Sequence, residues 1–514
     1  MRWSLVFLAA CGGGAGFPDA HFGDDFPPPF FPDAEKIDAT VCTMVCGGVC
    51  TDTDTDPHHC GACTNDCPTD KPSCTGGVCY QPQATQWVTH WGGDAADNTT
   101  AAMATDPSGN IYIAGAMTGT VDLGASHLIS AGATDILVAS FTPSGMPRWA
   151  KRFGGTGSDQ GAGIAVEFSQ VYVVATFAGT VDFGTASQTS AGGTDIALII
   201  LDANSGDALA SHRYGTAFDD AGTGIAIDTS GFLAFSGSFG QAALDVGGAV
   251  LSGGGIRTGF AASVDVSFAT RWARSFGATS RASDASACTG VATDSLGNVF
   301  VVGSFTGTTD FNGSAPAVTA TGSDAFAASI DMFGNPRWVR TFGGPQDDSA
   351  DAIAIDGGGN VAIGGAYHGD VDFGTGTIPS TGATDGFVVG YTSSGAFRFA
   401  RHLGAATRSR VTGLAASGIG RVIATGQLEG AVDLGTGALA PLGAADAFVA
   451  ELSAGTVNFA RRYGGADVDG GAAVAVAPSG LVSIGGRFRG TADLGTGAIP
   501  GGAQDNGFVM TIAP

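Results

Sequence analysis

Runs of seven mostly apolar residues recur along the chain without polar alternation: IYIAGAM from Ile111, VYVVATF from Val171, VFVVGSF from Val299 and VAIGGAY from Val361. A strand with one wet face alternates. These runs do not, so they predict short strands covered on both sides. Several are preceded by a D-x-x-G-N turn, as at Asp106–Asn110 and Asp294–Asn298, where Asp and Asn bond the local backbone and Gly or Asn tolerates positive φ. In one unit, GIAVE at Gly163–Glu167 predicts the strand before the turn and VYVVATF at Val171–Phe177 the strand after it. About 17 residues carrying V-D-F-G come next, predict a loop, and end at Gly193-Thr194-Asp195. Ile196–Leu201 predicts a third strand, Asn204–Gly206 a turn, and the R-W-A-x-x-F slot a fourth strand.

The unit repeats. Its V-D-F-G aspartate falls at Asp122, Asp182, Asp245, Asp310, Asp372, Asp433 and Asp493, at intervals of 60, 63, 65, 62, 61 and 60 residues. The aromatic-before-glycine slot of the fourth strand gives Trp91, Phe153, Tyr214, Phe276, Phe342, Leu403 and Tyr463, so two independent anchors agree on seven units. Five of the six tryptophans (Trp87, Trp91, Trp149, Trp272, Trp338) lie in or beside that slot, together with Arg148, Arg152, Arg271, Arg274, Arg337, Arg340 and Arg461. Aromatic packing on one face with charge along the strand describes a protected sheet edge. Four strands running from the inside to such a rim make a propeller blade. The last unit ends after its third strand, Gly507–Ala513, while the repeats open on an unaccompanied fourth strand, Thr85–Gly93. The expected fold is therefore all-β: a seven-bladed β-propeller over 84–514, closed by its N-terminal strand.

The D-x-x-G-N-V-Y-V-A-G core resembles the bacterial seven-bladed β-propeller repeat often called SBBP, over about 430 residues. That resemblance implies a surface or secreted binding scaffold rather than a defined chemistry. Two units depart from the pattern: the third, with Leu233-Ala234-Phe235 and Gly259, is expected to form an irregular blade, and the sixth has Ser417 in place of the turn aspartate.

Upstream, residues 1–11 of MRWSLVFLAACGGG read as a lipoprotein signal segment with one positive charge and a short apolar run, and Leu8-Ala9-Ala10-Cys11 resembles a bacterial lipobox, which implies cleavage that leaves Cys11 as the lipidated first residue. Residues 12–41, rich in Gly, Pro, Asp and Phe, read as an extended tether. Residues 42–80 hold eight cysteines, Cys42, Cys46, Cys50, Cys60, Cys63, Cys67, Cys74 and Cys79. In an exported segment too small for a core these predict about four disulfides of undetermined pairing. Zinc is the alternative, through Cys60-x-x-Cys63 beside His58 and His59. The run from Asp56 to Cys79 resembles cysteine-rich spacers of bacterial surface lipoproteins. The rhythm of Asp52–Asp56 opens like an EF-hand, but Pro57 stands at the turn glycine and Cys63 at the bidentate glutamate.

Composition narrows the partners. The 514 residues include 85 glycines and only 13% charged residues, with a formal net charge of −25, so no basic face is available for nucleic acid. Elbow, zincin and P-loop motifs are absent, the eight histidines are scattered, and no catalytic residue or cofactor is expected. Cys288 reads as a buried, inert thiol. Strand direction gathers on one face the V-D-F-G aspartates, the T-D aspartates (Asp135, Asp195, Asp385) and those after GG (Asp159, Asp219, Asp220, Asp347, Asp348, Asp467, Asp469). Those every blade repeats read as loop caps. The irregular pairs Asp219-Asp220 and Asp347-Asp348 are the candidates for calcium. The expectation is a monomeric, lipid-anchored, non-enzymatic extracytoplasmic scaffold of the bacterial cell envelope, an outer-membrane or surface lipoprotein binding an unidentified protein or glycan. The alternatives are a propeller lyase or hydrolase with its site at the channel mouth, and a calcium-stabilised adhesin-like protein.

Overall fold

The structure, a computed structural model, describes residues 83–513 apart from 93–96, 278–283, 312–315, 375 and 405–406, together with four short strands upstream. Those four form two hairpins, Met44–Cys46 with Val49–Thr51 and Ser73–Thr75 with Val78–Tyr80. Cys11, the tether and the cysteine side chains of residues 42–79 lie outside the described residues.

Seven four-stranded antiparallel blades follow, six of them in plain chain order from inside to outside and the seventh with Thr85–Trp91 at its rim; the rim strand of the sixth also pairs with Thr491–Asp493 of the seventh. Their innermost strands are Thr99–Thr105, Gln160–Glu167, Ala221–Ile227, Ser286–Thr293, Ser349–Ile355, Arg408–Ser417 and Gly470–Val476. Each lies against the next, and the seventh returns to the first, so the sheets close into a ring with no helix among the described residues. Blade seven is completed as the phase offset predicts: Thr85–Trp91 pairs antiparallel with Asn506–Ile512, Trp91 opposite Gly507 and Thr85 opposite Ile512.

The apolar runs are the second strands, and they are covered on both faces: all seven residues of Ile111–Met117 are buried, as are those of Val361–Tyr367. The core is a series of seams between successive blades. Tyr112, Val138, Trp149 and Phe153 of blade one, for example, meet Val173, Phe177 and Phe183 of blade two.

Two expectations need correction. The V-D-F-G segment is no loop in the fully described blades but a small two-stranded ribbon, Thr120–Leu123 with Ser126–Ile129 in blade one. Its alternation gives the reason: Val121 and Leu123 are buried while Asp122 between them is exposed, a period-two pattern partly hidden by the surrounding glycines. Blade three is regular as well. Leu233–Phe239 pairs along its whole length with Thr258–Val264, since Leu, Ala and Phe suit a fully covered strand as well as Val and Ile do.

Every innermost strand carries a β-bulge at one fixed place, skipping in turn Ala101, Ala162, Thr223, Thr289, Asp351, Thr412 and Ala472. An unpaired bulge residue is turned out of the ladder. All seven line the central channel, with Met103, Ile164, Ile225, Val291, Ile353, Leu414 and Val474 among the residues further along its wall.

Candidate binding site at the channel mouth

The ribbons and the blade-to-blade links share one face, as strand direction requires. Parallel bridges join the third-strand approach of one blade to the link entering the next: Thr134 to Ser158, Thr384 to Arg408, Ala445 to Val468. We call this the upper face.

Its carboxylates fall into three sets. In the ribbons, Asp182, Asp245, Asp433 and Asp493 accept backbone N–H groups of Gly184, Gly248, Gly435 and Gly495 at 2.6–2.9 Å. In the links, Asp159, Asp220, Asp348 and Asp469 are buried, and each accepts an N–H from four residues upstream and another from the end of its blade's second strand. For Asp348 the donors are Gly344 at 2.7 Å and His368 at 2.8 Å. Burial raises the pKa of all four, and these N–H groups partly offset it; Asp469 is pushed up to about 6.

The third set opens the third strands. Asp135 and Asp446 meet Arg152 and Arg462 of the fourth strands at 2.6 and 2.7 Å, Asp195 meets Arg213, and His402 Nε2 lies 2.9 Å from Asp385. In blades three and seven the acid is replaced together with its base, as Thr258 with Ser275 and Asn506 with His90. Blade four breaks the rule. Asp324 remains, but Thr341 stands where the base belongs. Burial, with repulsion from Asp348, pushes Asp324 up to about 6. A carboxyl whose folded pKa lies above its unfolded value binds more protons when folded, so its contribution to stability falls as pH rises from about 4 through 6. Thr341→Arg is therefore expected to raise the melting temperature by a few degrees at pH 7.5, with a smaller gain at pH 4.5. Equal gains at both values would assign the effect to packing.

The calcium candidates divide unequally. Asp220 and Asp348 are the buried link caps just described, whereas Asp219 and Asp347 accept the N–H groups of Thr194 and Ser323, both at 3.1 Å. No group of three or more metal-type ligands occurs among the described residues. With these acceptors already engaged by backbone, melting in EDTA and in millimolar calcium is expected to give the same midpoint. A rise in calcium would mark a site that these caps do not explain.

What singles out one sector is a break in the repeat. Three bulge threonines stitch the ring laterally: the hydroxyls of Thr223, Thr289 and Thr412 donate to the carbonyls of Cys288, Ala350 and Gly471 in the following blade, at 2.9, 2.5 and 2.6 Å. In blade five the same slot holds Asp351. Instead of donating to a carbonyl, it accepts two bonds from Arg410 of blade six, from Nε at 2.7 Å and Nη2 at 2.6 Å. Arg410 likewise departs from its row, which reads Thr99, Gln160, Ala221, Ala287, Ser349, Arg410, Gly470 around the mouth.

Beside this ion pair a cleft of about 440 Å³ opens between blades five and six. Arg408, Arg410, Gln427 and Glu429 form its blade-six wall, with Arg410 opposite Gln427 and Arg408 opposite Glu429 across the strand pair. The other wall includes Asp347, Ser349, His368 and Thr384. His368 is fixed between the Asp347 carbonyl and Thr384 Oγ1, 2.8 Å from the latter. In blade seven, Arg487 and Arg489 both pair with Asp505. Four arginines, three of them paired with aspartates, thus gather at the upper mouth over blades six and seven. Reading one blade at a time misses Asp351, Arg408, Arg410 and Glu429. Stacking the seven innermost strands in register shows Asp351 and Arg410 at once, because their neighbours in each row are small or uncharged; Arg408 differs from its row in sign, since that row also holds Asp97, Asp219 and Asp347.

The fold defines a closed seven-bladed β-propeller. No protein-family model and no curated protein matches the chain. Among solved structures it is similar to a chain of the mitotic checkpoint complex, at 11% identity and TM-score 0.44, covering 84% of this chain and 92% of that one. It is also similar to the Pan2 WD40 domain of Neurospora crassa (8%, TM-score 0.41, 83% and 96% covered) and to BamB from Moraxella catarrhalis (11%, 0.35, 82% and 99%).

Proposed function

We propose that this chain is a lipid-anchored, non-catalytic binding scaffold of the bacterial cell envelope, of the SBBP-repeat type, held through Cys11 and presenting its upper face to a ligand. The observation that carries the binding site is the charged break in the bulge row and the row beside it, Asp351 with Arg410, next to a polar cleft. Positions that every blade repeats serve the ring, so a position that one blade breaks is free to serve something else.

The two halves of the reading are tested separately. Cys11→Ser is expected to move the chain from the membrane fraction to the soluble one; unchanged fractionation would remove the anchor. Full-length chain immobilised on beads is expected to retain an envelope component that Arg410→Ala loses and that Phe333→Ser, altered at an exposed turn on the opposite face, keeps. Equal retention by all three would remove the cleft from the interaction.

A further inference from the structure

Arg408 and Glu429 stand directly opposite each other on adjacent antiparallel strands, and both line the cleft. Residues so placed have Cα atoms roughly 5 Å apart and side chains on the same face of the sheet. Their charges are opposite, yet among the described residues neither side chain is engaged in an ion pair or hydrogen bond. Arg410, two residues on, differs: its guanidinium is spent on Asp351. The same wall therefore presents one free cation and one free anion a few ångströms apart. Asp347, an exposed carboxylate, faces them from the blade-five side.

We infer that this cleft binds the zwitterionic head of a free α-amino acid, its carboxylate on Arg408 and its ammonium on Glu429. This inference rests on the cleft being the binding site proposed above and names what it takes. The planar fork of a guanidinium suits a carboxylate in two-point contact, and a carboxylate side chain is the natural acceptor for an ammonium. An α-amino acid carries its two charges on neighbouring atoms of one carbon, which matches a cross-strand pair better than it matches a polyanion. Gln427 and Ser349 also line the cleft with neutral polar groups, and the volume is within the range of small-molecule sites. A purely anionic ligand would meet Glu429 and Asp347 as repulsion, and a purely cationic one would meet Arg408.

The test uses the full-length chain with three probes at equal millimolar concentration: L-alanine, propionate, which lacks the ammonium, and ethylamine, which lacks the carboxylate. Alanine is expected to raise the melting temperature, with the two half-probes leaving it unchanged. Titration of Arg408→Ala and of Glu429→Ala is expected to show alanine binding weakened about 10- to 100-fold in each, the usual range for loss of one charged hydrogen-bond partner. Both residues lie at the cleft surface, so the melting temperature without ligand should stay near wild type and serves as the folding control. No response to alanine, an equal response to propionate, or full binding by either variant would overturn the inference. Should alanine do nothing while beads still retain an envelope component in an Arg410-dependent manner, the zwitterion assignment falls and the scaffold reading stands.

Discussion

A chain lacking residues 1–92 is expected to lose the closed ring. Thr85–Trp91 supplies the fourth strand of blade seven, and its removal bares the ladder edge of Asn506–Ile512. It also removes Trp91, buried against Phe141 of blade one with ring centroids 6.5 Å apart, and Trp87, whose Nε1 donates to Pro143 O at 2.8 Å. Losing a single buried tryptophan costs about 3–5 kcal/mol, a large part of the roughly 5–15 kcal/mol that holds a typical domain. The strand's hydrogen bonds go with it, and the bared edge becomes a template for pairing with a second chain. The truncated protein is therefore expected to melt at least 10 °C lower and to elute as larger species. A synthetic peptide of residues 83–92 added in trans is expected to restore part of the difference by strand addition. An unchanged melting temperature with monomeric elution would mean that the seventh blade does not need its borrowed strand.

The second large effect concerns the outer rim. Trp338 closes the seam between blades four and five: its ring lies 6.0 Å from Phe300 and 6.3 Å from Tyr391, and its Nε1 donates to Ser393 O at 3.0 Å. Gly395 makes the contact possible. Its φ is +81°, and a β-carbon there would sit 2.9 Å from the Trp338 ring. Trp338→Ala is expected to cost about 3–5 kcal/mol, read as a drop of roughly 5 °C or more in a thermal melt. Trp338→Phe keeps most of the ring and loses one N–H donor, so a fall of about a third as much is expected. Gly395→Ala should reproduce most of the tryptophan loss, through both the backbone and the ring. Were Trp338→Ala neutral, the tryptophans would be surface decoration rather than latches between blades.

Much of the architecture was legible because it is repeated. Non-alternating runs announced strands covered on both sides, two anchors counted the blades, and the phase offset at the chain ends announced closure. The ribbon was missed since its apolar contribution is only two residues, Val121 and Leu123 in blade one, set among glycines. The rim tryptophans read as edge residues but not as latches, because their partner glycines lie in another blade, as Gly206 does for Trp149, Gly334 for Trp272 and Gly395 for Trp338. The candidate site was largely invisible for a related reason. Asp351 and Arg410 are ordinary residues in ordinary strands until the seven innermost strands are set side by side, and the carboxylates that stood out in the sequence are mostly engaged by backbone. The pairing of Asp135 with Arg152, repeated or jointly replaced in six blades, likewise emerges only from strand register.

The bulge in each innermost strand has a consequence for how such a ring can change. A residue outside the ladder owes nothing to register, so its side chain can be exchanged without shifting the strands around it. Alanine, threonine and aspartate already share this position within one molecule, on seven backbones that bulge alike. The channel mouth is in effect a seven-socket collar, in which the threonines also tie one blade to the next while the alanines carry no such duty. A new specificity can be assembled one socket at a time, while the other six keep the frame standing.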